Sequence, residues 1–288
     1  MNVPLKSALP EPTEMASEGA ALVRQRYRRD DAPEPVAWND TLRVLMNHRS
    51  VRAYLPGPLP EGTLETLVAA AQSAASSSNL QVWSVVAVED PERKARLAAL
   101  AAHQNHIVEA PLFLVWLVDF DRLTQLSRAD GVASEALDYT ETFLLGAVDT
   151  ALAAQSAVVA LESLGLGSVY IGGIRNRPAE VTAELGLPPR VFALFGLAVG
   201  KPDPARPSAV KPRLPQASVL YREQYGWSRA QAEAAESYNR RIRDFQREQG
   251  MAEKDWTVQA RERTRGPGSM AGRHVLRDVL NDLGFELR

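Results

Sequence analysis

Along the chain, two kinds of segment alternate. In one kind, hydrophobic residues recur every three or four positions, as on one face of a helix; in the other, they form short continuous apolar runs. The helical spacing predicts helices over residues 40–47, 61–75, 91–102, 177–188, 228–249 and 269–285. The apolar runs predict strands over residues 82–89, 111–120, 168–173 and 192–200. Such alternation indicates a layered domain of the α/β or α+β class.

The longest predicted helix extends from about Glu135 to Leu164 and is apolar almost all round. That profile is typical of a buried helix. Asp149, Gln155 and Glu162 argue against a membrane span, because ionisable and polar groups are costly in lipid. The many Ala and Gly positions would let another helix approach closely, which suits the core of a dimer interface.

The first 37 residues differ in composition from the rest, being rich in Pro and charge with one helical stretch at residues 13–29. We interpret residues 1–37 as an extension that is partly helical or disordered. Residues 38–288 are then the main domain. It contains a Pro-rich basic loop at 201–218 and ends in a C-terminal helical excursion.

Composition excludes several classes of function. The net charge of −2 offers no domain-wide basic balance, so we expect no nucleic-acid partner. The absence of cysteine excludes disulfides, thiolate catalysis and cysteine-bound metals. With four histidines and no HExxH pattern, we expect no metal held by side chains. The N-terminus lacks the apolar core of a signal peptide and no uncharged run reaches about 20 residues, which predicts a cytoplasmic protein without a membrane partner.

The common nucleotide-binding and hydrolase motifs are missing from this sequence. GLGSVYIGG superficially suggests a dinucleotide loop, but it has the order helix–Gly–strand, whereas the Rossmann motif requires strand–Gly–helix. No GxxxxGK[ST] or GxSxG pattern is present either.

Three short polar segments could instead bind an anion: HRSVR at 48–52, SSSN at 76–79 and KPR at 211–213. Arginine grips phosphate oxygens bidentately and lysine acts as a compact point charge. Each segment alone is more commonly a basic helix end, a loop or a solvated turn. Together with a glycine pair that ends a strand, they indicate the parts of one anion site.

Six stretches extend this pattern from about residue 40 to residue 220: HRSVRAY, AAQSAASSSNLQ, HQNH, LLGAVDTALAAQSAVVALESLGLGSVYIGGIRN, LFGLAVGKP and KPRLP. In these the chain resembles the nitroreductase superfamily, in the branch of NADPH-dependent flavin reductases and oxygen-insensitive NADPH nitroreductases. The resemblance implies an α+β nitroreductase-like fold with a central mixed sheet flanked by helices. It also implies an intertwined homodimer with one FMN at each of two sites in the subunit interface.

The resemblance also implies which residues contact the flavin. They are His48, Arg49, Ser50, Arg52, Ser76, Ser77, Ser78, Gln81, Gln104, His106, Tyr170, Ile171, Gly172, Gly173, Lys211 and Arg213. Residues 170–173 should line the isoalloxazine ring, and Lys211 and Arg213 should bind the phosphate side. His106 equally suits a hydrogen-bonded structural histidine.

Two C-terminal arginines, Arg273 and Arg247, lie where this branch binds the 2′-phosphate of NADPH. The sequence around them is diverged, and Arg247 also suits a solvated helix face. Asp149 is more often a hydrogen-bonded interface residue than a catalyst.

The expected chemistry agrees with these residue types. A phosphate dianion explains a local cluster of cations, and a cation such as Arg52 or Lys211 would stabilise the charge of a reduced flavin. Gly172 and Gly173 permit close main-chain approach to a flat ring. Because FMN carries the hydride chemistry, we predict no catalytic side chain.

The predicted activity is therefore ping-pong, two-electron reduction of nitroaromatics, quinones or free flavin by NADPH. The small-molecule acceptor occupies the same flavin face after the oxidised nucleotide leaves. Two alternatives stay open: a flavin-binding storage or sensor protein of the same fold with little turnover, and a superfamily reductase with another acceptor, such as a dehalogenase or enoate reductase.

Overall fold

The computed structural model describes residues 12–29, 32–33, 37–227 and 229–288, and of residues 12–16 only the backbone. Within it the chain divides into two compact units. The first contains Met1–Arg49 and Ala209–Glu262, and the second contains Ser50–Ser208 and Arg263–Arg288. Much of the predicted extension, namely residues 1–11, 30–31 and 34–36, lies outside the described residues, and its boundary at residue 37 stays a prediction.

A four-stranded sheet forms the centre of the second unit. Its strands are β1 (Trp83–Val88), β2 (Leu112–Asp119), β3 (Gly167–Ile171) and β4 (Val191–Gly200), in the order β1-β2-β4-β3. All three neighbouring pairs are antiparallel. In the described part of the chain, the parallel pairing that a mixed sheet requires is limited to one isolated bridge, between Ser50 and Ser168.

Eleven α-helices are present in the described residues. They are α1 (Pro12–Tyr27), α2 (Asp40–Asn47), α3 (Thr63–Gln72), α4 (Pro91–Leu100), α5 (Asn105–Glu109), α6 (Asp121–Ala129), α7 (Thr140–Ser163), α8 (Pro178–Leu185), α9 (Arg229–Glu248), α10 (Trp256–Arg263) and α11 (Leu276–Asp282). Local signals set several of their ends. The Asn39 side chain caps α2 by accepting from the Leu42 N–H at 2.9 Å, and Asp90 caps α4 in the same way.

The sheet packs between two layers of apolar side chains. On one face, Leu67 of α3 and Ala153 and Leu161 of α7 pack with Trp116. On the other, Leu97 of α4 and Val181 of α8 pack with residues of β2 and β4. Strand β2 is buried from residue 112 to residue 118, as its unbroken apolar run predicted.

Helix α7 is buried on one face within the chain. That face includes Asp149 and Thr150, while Leu144, Val148 and Leu152 are exposed in this single chain. Burial of the second face in a dimer interface stays a prediction. By length and composition α7 is long and apolar enough to cross a membrane, and one of its faces packs on the sheet.

The first unit is built from α1, α2 and α9, with most of α10. Tyr238, Ile242 and Phe245 project from one side of α9 and pack with Trp256 at the start of α10. Buried Asn239 links the same two helices, since its amide group pairs with the side chain and main chain of Thr257. Helix α1 coincides with the helical stretch predicted at residues 13–29.

Several boundaries also differ from prediction. The helix predicted to begin at Glu135 starts as a 3₁₀ turn and becomes α7 only at Thr140. The predicted C-terminal helix over 269–285 is confined to α11, preceded by two 3₁₀ turns. Helices α5, α6 and α10, with 5, 9 and 8 residues, were not predicted.

Candidate functional site

The segment that follows Arg49 is anchored at the end of the sheet. The Val51 N–H donates to the Ser168 carbonyl at 2.8 Å, and the Tyr54 hydroxyl lies 2.7 Å from the Val51 carbonyl oxygen. A Cβ on Gly167 would come within 2.5 Å of the Val51 side chain, so β3 needs glycine there to let the segment approach. Ser50 and Arg52, which flank Val51, are consequently fixed beside β3.

The glycine pair closes β3 and opens a 3₁₀ turn, Gly172–Asn176. A Cβ on Gly173 would lie 2.6 Å from the Gln104 amide nitrogen and 2.9 Å from the Ala101 carbonyl oxygen. That same amide nitrogen donates to the Ala101 carbonyl at 2.8 Å. Glycine is required at position 173 because there is no space for a side chain, and the structure brings predicted residues Gln104, Gly172 and Gly173 together.

Two arginines lie against Gly172. A Cβ placed there would have Arg175 Nη2 at 3.5 Å and Arg273 Nη1 at 3.7 Å. Burial lowers the pKa of Arg175, and the charge of Arg273 lowers it further; burial and the charge of Arg263 lower the pKa of Arg273. Like charges brought together at partly buried positions are typical of an anion site. Arg175 was not predicted as a site residue, although the motif GGIRN places it two residues after the glycine pair.

His106 belongs to the same neighbourhood. Burial lowers the pKa of His106 below its ordinary range, and the charge of Arg52 adds to that effect, while Glu109 opposes it. The imidazole is therefore neutral near pH 7. Its Nε2 atom is buried and has no hydrogen-bond partner among the residues that the structure describes. The structure thus supports the proximity of His106 to Arg52, and it does not favour the alternative of a fully hydrogen-bonded structural histidine.

The serine loop is held by a carboxylate from α7. The Ser76 hydroxyl donates to Asp149 Oδ2 at 2.6 Å, and the Ser77 N–H donates to Asp149 Oδ1 at 3.1 Å. The Ser76 oxygen in turn accepts from the Gln81 N–H at 2.8 Å. Asp149, whose side chain is buried, therefore has the hydrogen-bonding role that the sequence favoured over catalysis.

The same loop has a strained backbone. Ser78, Asn79 and Gln81 have φ values of 49°, 54° and 51°, in the left-handed region that non-glycine residues rarely adopt. Strain of this kind persists where surrounding contacts enforce it, and it concentrates at functional sites. Ser77, Ser78 and Gln81 are exposed, so their side chains are available to a ligand.

Tyr170 and Ile171 face other parts of the second unit. The Tyr170 ring packs edge-on against Phe195 at 5.3 Å between centroids, and its hydroxyl lies 3.4 Å from Gln155 of α7. The Ile171 side chain is buried in the core beside the sheet. Any flavin contact from Ile171 therefore comes from its main chain.

The remaining predicted cations lie in the first unit. His48 and Arg49 follow α2 directly, and the Arg49 guanidinium donates to the Asn47 carbonyl at 3.2 Å. Lys211 and Arg213 flank Pro212, whose carbonyl accepts from the Tyr238 hydroxyl at 2.8 Å. Lys211 and Arg213 are exposed, and Lys211 Nζ lies 6.0 Å from the centre of the Phe245 ring.

Arg247 is engaged elsewhere. Its guanidinium donates two hydrogen bonds of 2.9 Å to Glu253 and one of 3.1 Å to Asp244. These contacts on an exposed side chain favour the interpretation of a solvated helix face. In the described part of the chain, no group of three or more His, Asp and Glu residues could hold a metal ion.

Comparison with known proteins identifies the family of this chain. The model of the nitroreductase family matches residues 45–201, and that of the nitroreductase family C-terminal domain matches residues 211–288. The chain belongs to the nitroreductase family. It is 40% identical to an FMN reductase (NADPH) of Bacillus subtilis over 225 residues, 77% of this chain and 90% of that protein. It is also 40% identical to an NADPH-flavin oxidoreductase of Vibrio harveyi over 65% of this chain and 75% of that protein.

Solved structures lead to the same family. The structure of NfrA1 nitroreductase from B. subtilis superimposes with a TM-score of 0.80 at 37% identity, covering 86% of this chain and 99% of that one. The nitroreductase-like α+β fold predicted from the motifs is thereby confirmed. Both family matches begin after the first 44 residues, so α1 lies outside them.

Proposed function

We propose that this protein is an FMN-dependent oxidoreductase that takes two electrons from NADPH and delivers them to a small acceptor: a nitroaromatic, a quinone or free flavin. The names of the relatives, FMN reductase (NADPH) and NADPH-flavin oxidoreductase, support FMN as cofactor and NADPH as donor. The observation that carries the proposal is the glycine pair, with the Gln104 amide against Gly173 and two guanidinium groups beside Gly172.

The residues present suit FMN. A ligand with a phosphate and a flat polar ring needs cations at one end and close main-chain donors at the other. Within the first unit, Lys211 and Arg213 are the proposed ligands of a phosphate group. Within the second unit, Gly172 and Gly173 would let the main chain approach a flat ring. The orphaned Nε2 atom of His106 is a further polar group that a bound molecule would satisfy.

Bound FMN supplies the hydride and electron-transfer chemistry. The chain itself binds, orients and stabilises charge. Arg52, exposed beside β3, supplies a positive charge for an electron-rich ring. Asp149 holds the serine loop, through Ser76, in the strained form that leaves the Ser77 and Ser78 side chains exposed. The neutral His106 can donate or accept a hydrogen bond without adding a second full charge next to Arg52.

For the electron donor we propose Arg273, with Arg175 beside it, as the group that contacts the NADPH 2′-phosphate. Two guanidinium groups near one glycine suit a dianion, and their mutual repulsion would be relieved when it binds. Arg247 is not assigned this role, because Glu253 and Asp244 already occupy its guanidinium.

We further propose a cytoplasmic homodimer. The exposed apolar residues Leu144, Val148 and Leu152 lie at intervals of four along α7 and form a stripe that a second copy would cover. Sedimentation at twice the chain mass of 31.5 kDa would support this assignment, and a monomer at micromolar concentration would contradict it.

Steady-state kinetics tests the proposed activity against the alternative of a flavin store. With NADPH as donor, we expect multiple turnovers on a panel of nitroaromatic, quinone and flavin acceptors, with parallel double-reciprocal plots. A yellow protein that turns over none of these, yet keeps its FMN, would favour storage or sensing. A selective response to halogenated or enoate acceptors would favour the other superfamily reductases.

A further inference from the structure

Arg26, in the last turn of α1, joins two segments that are far apart in sequence. Its Nη2 atom donates to the Met46 carbonyl at 2.8 Å and to the His48 carbonyl at 2.7 Å. Its Nη1 atom donates to the Lys211 carbonyl at 3.2 Å. One guanidinium thus holds the main chain of both His48 and Lys211.

The backbone repeats the same connection. The Arg213 N–H donates to the Arg26 carbonyl at 3.1 Å, so position 26 contacts the KPR segment through its main chain as well as its side chain. The residue is only 7% exposed, unusual for an arginine and typical of one whose hydrogen bonds are satisfied inside the protein. These buried hydrogen bonds therefore fix the main chain of the two segments around His48 and Lys211.

Other contacts hold α1 in place for this role. The Glu18 carboxylate accepts two hydrogen bonds of 2.8 Å from Arg43 of α2. Gly19 lies so close to the Trp38 ring that a Cβ there would be 2.6 Å from it. At the other end, Arg28 donates to both Glu248 oxygens, at 2.8 and 2.7 Å, and lies over the Phe245 ring. Arg26 is therefore presented by an anchored helix.

We propose that Arg26 is a positioning residue for the cofactor's phosphate group. By fixing the main chain of His48 and Lys211, it sets the positions of the neighbouring cations Arg49, Lys211 and Arg213, and its own charge adds to the local positive potential. Arg26 lies outside both ranges that match the family models. The contribution of α1 to the proposed phosphate site therefore comes from a segment outside the residues that match the family models.

This inference rests on the proposed function, because it assumes that FMN is the ligand. It predicts a selective defect. Riboflavin has the same ring and ribityl chain as FMN but lacks the phosphate. Loss of a residue that positions phosphate-binding cations should lower the affinity for FMN and leave the affinity for riboflavin nearly unchanged. A general loss of structure would lower both affinities.

The test compares Arg26→Met and Arg26→Lys with the wild type and with Arg24→Met, a matched control on the same helix whose side chain is exposed. Dissociation constants for FMN and riboflavin are measured by quenching of flavin fluorescence. We expect Arg26→Met to weaken FMN binding by about tenfold, because the phosphate-binding cations lose their fixed main-chain positions; tenfold corresponds to about 1.4 kcal/mol of binding free energy. Riboflavin binding should change less than about threefold, and Arg24→Met should match the wild type.

Arg26→Lys keeps the charge, but a single ammonium group cannot replace the two guanidinium nitrogens that donate to carbonyls of two separate segments. It should show an intermediate, FMN-selective loss, and it decides the question if Arg26→Met does not fold. Equal losses for FMN and riboflavin, or an unchanged FMN affinity in the Lys variant, would overturn the inference. A wild type that binds neither flavin would instead contradict the proposed function.

Discussion

The Ser76 hydroxyl donates to the Asp149 carboxylate across 2.6 Å, and this contact ties the serine loop to the longest helix of the fold. Asp149 also accepts from the Ser77 N–H, so one buried carboxylate satisfies two donors of a loop whose backbone is strained. The conformation of the serine loop is therefore stabilised by a buried core residue in the absence of a ligand.

Replacement of Asp149 by Asn should destabilise this loop. The amide of Asn keeps the shape of the carboxylate but loses its charge, and its NH₂ group would face one of the two donors, the Ser76 hydroxyl or the Ser77 N–H. We expect the free energy of unfolding in urea to fall by about 1–3 kcal/mol and FMN affinity to fall with it. The exposed Asp130→Asn variant should leave both quantities unchanged. Wild-type stability in Asp149→Asn would mean that the hydrogen bonds to the loop are not important.

Gly173→Ala tests the contact between the glycine pair and Gln104. The new methyl group would lie 2.6 Å from the Gln104 nitrogen and 2.9 Å from the Ala101 carbonyl oxygen, and the carbonyl belongs to rigid main chain. We expect a loss of about 1–3 kcal/mol in unfolding free energy and a displaced flavin spectrum. Gly268→Ala is the control, because nothing lies within 4 Å of its Cβ position. A Gly173→Ala variant with unchanged spectrum and stability would contradict the tight packing described here.

Arg273→Ala should affect one nucleotide more than the other. NADPH carries the 2′-phosphate that NADH lacks, so the ratio of kcat/KM values for NADPH and NADH should fall by about tenfold to a hundredfold. Arg247→Ala should leave that ratio unchanged, since Arg247 is paired with Glu253. If Arg247→Ala changed the ratio and Arg273→Ala did not, the assignment of the two arginines would be reversed.

His106 should make folding stability depend on pH. Its pKa is lowered in the folded chain, whereas the unfolded chain takes up the proton near the ordinary value of about 6.5. The unfolded state then binds more protons just below that pH, so the free energy of unfolding falls as pH decreases through about 6.5.

Urea denaturation of wild type and His106→Asn between pH 5 and 8 measures this effect. The stability of the wild type relative to the variant should be greater at pH 8 than at pH 5. The exposed His274→Asn variant should retain the wild-type pH dependence. A difference between wild type and His106→Asn that is constant with pH would show that His106 does not titrate as described.

Much of the fold could be predicted from local signals. The apolar run of β2 and the Pro-start of α4 each identify an element by chemistry confined to a few residues. The exposed stripe of α7 could not be predicted, because apolar residues look the same whether they face the core or an outer surface. The pattern of α7 is uniform, and only the tertiary structure shows which side packs on the sheet.

The candidate site shows the same limit. Motifs identified Gln104 and Gly173 separately, but their contact depends on the packing of the segment after α4 against the turn after β3. Arg175 was missed because a lone arginine after a glycine pair is also ordinary surface. Arg26 was missed for a related reason: α1 matches no motif, and its guanidinium becomes informative only when its three carbonyl partners are seen.

Anaerobic titration of the purified protein with NADPH, followed by the visible absorbance of the flavin, is the decisive measurement of NADPH-dependent flavin reduction. We expect a yellow protein whose flavin is fully bleached by one equivalent of NADPH and whose colour returns when a nitroaromatic or quinone is added. A protein purified and incubated with excess FMN that stays colourless after gel filtration, or one that keeps its colour in excess NADPH, would contradict it.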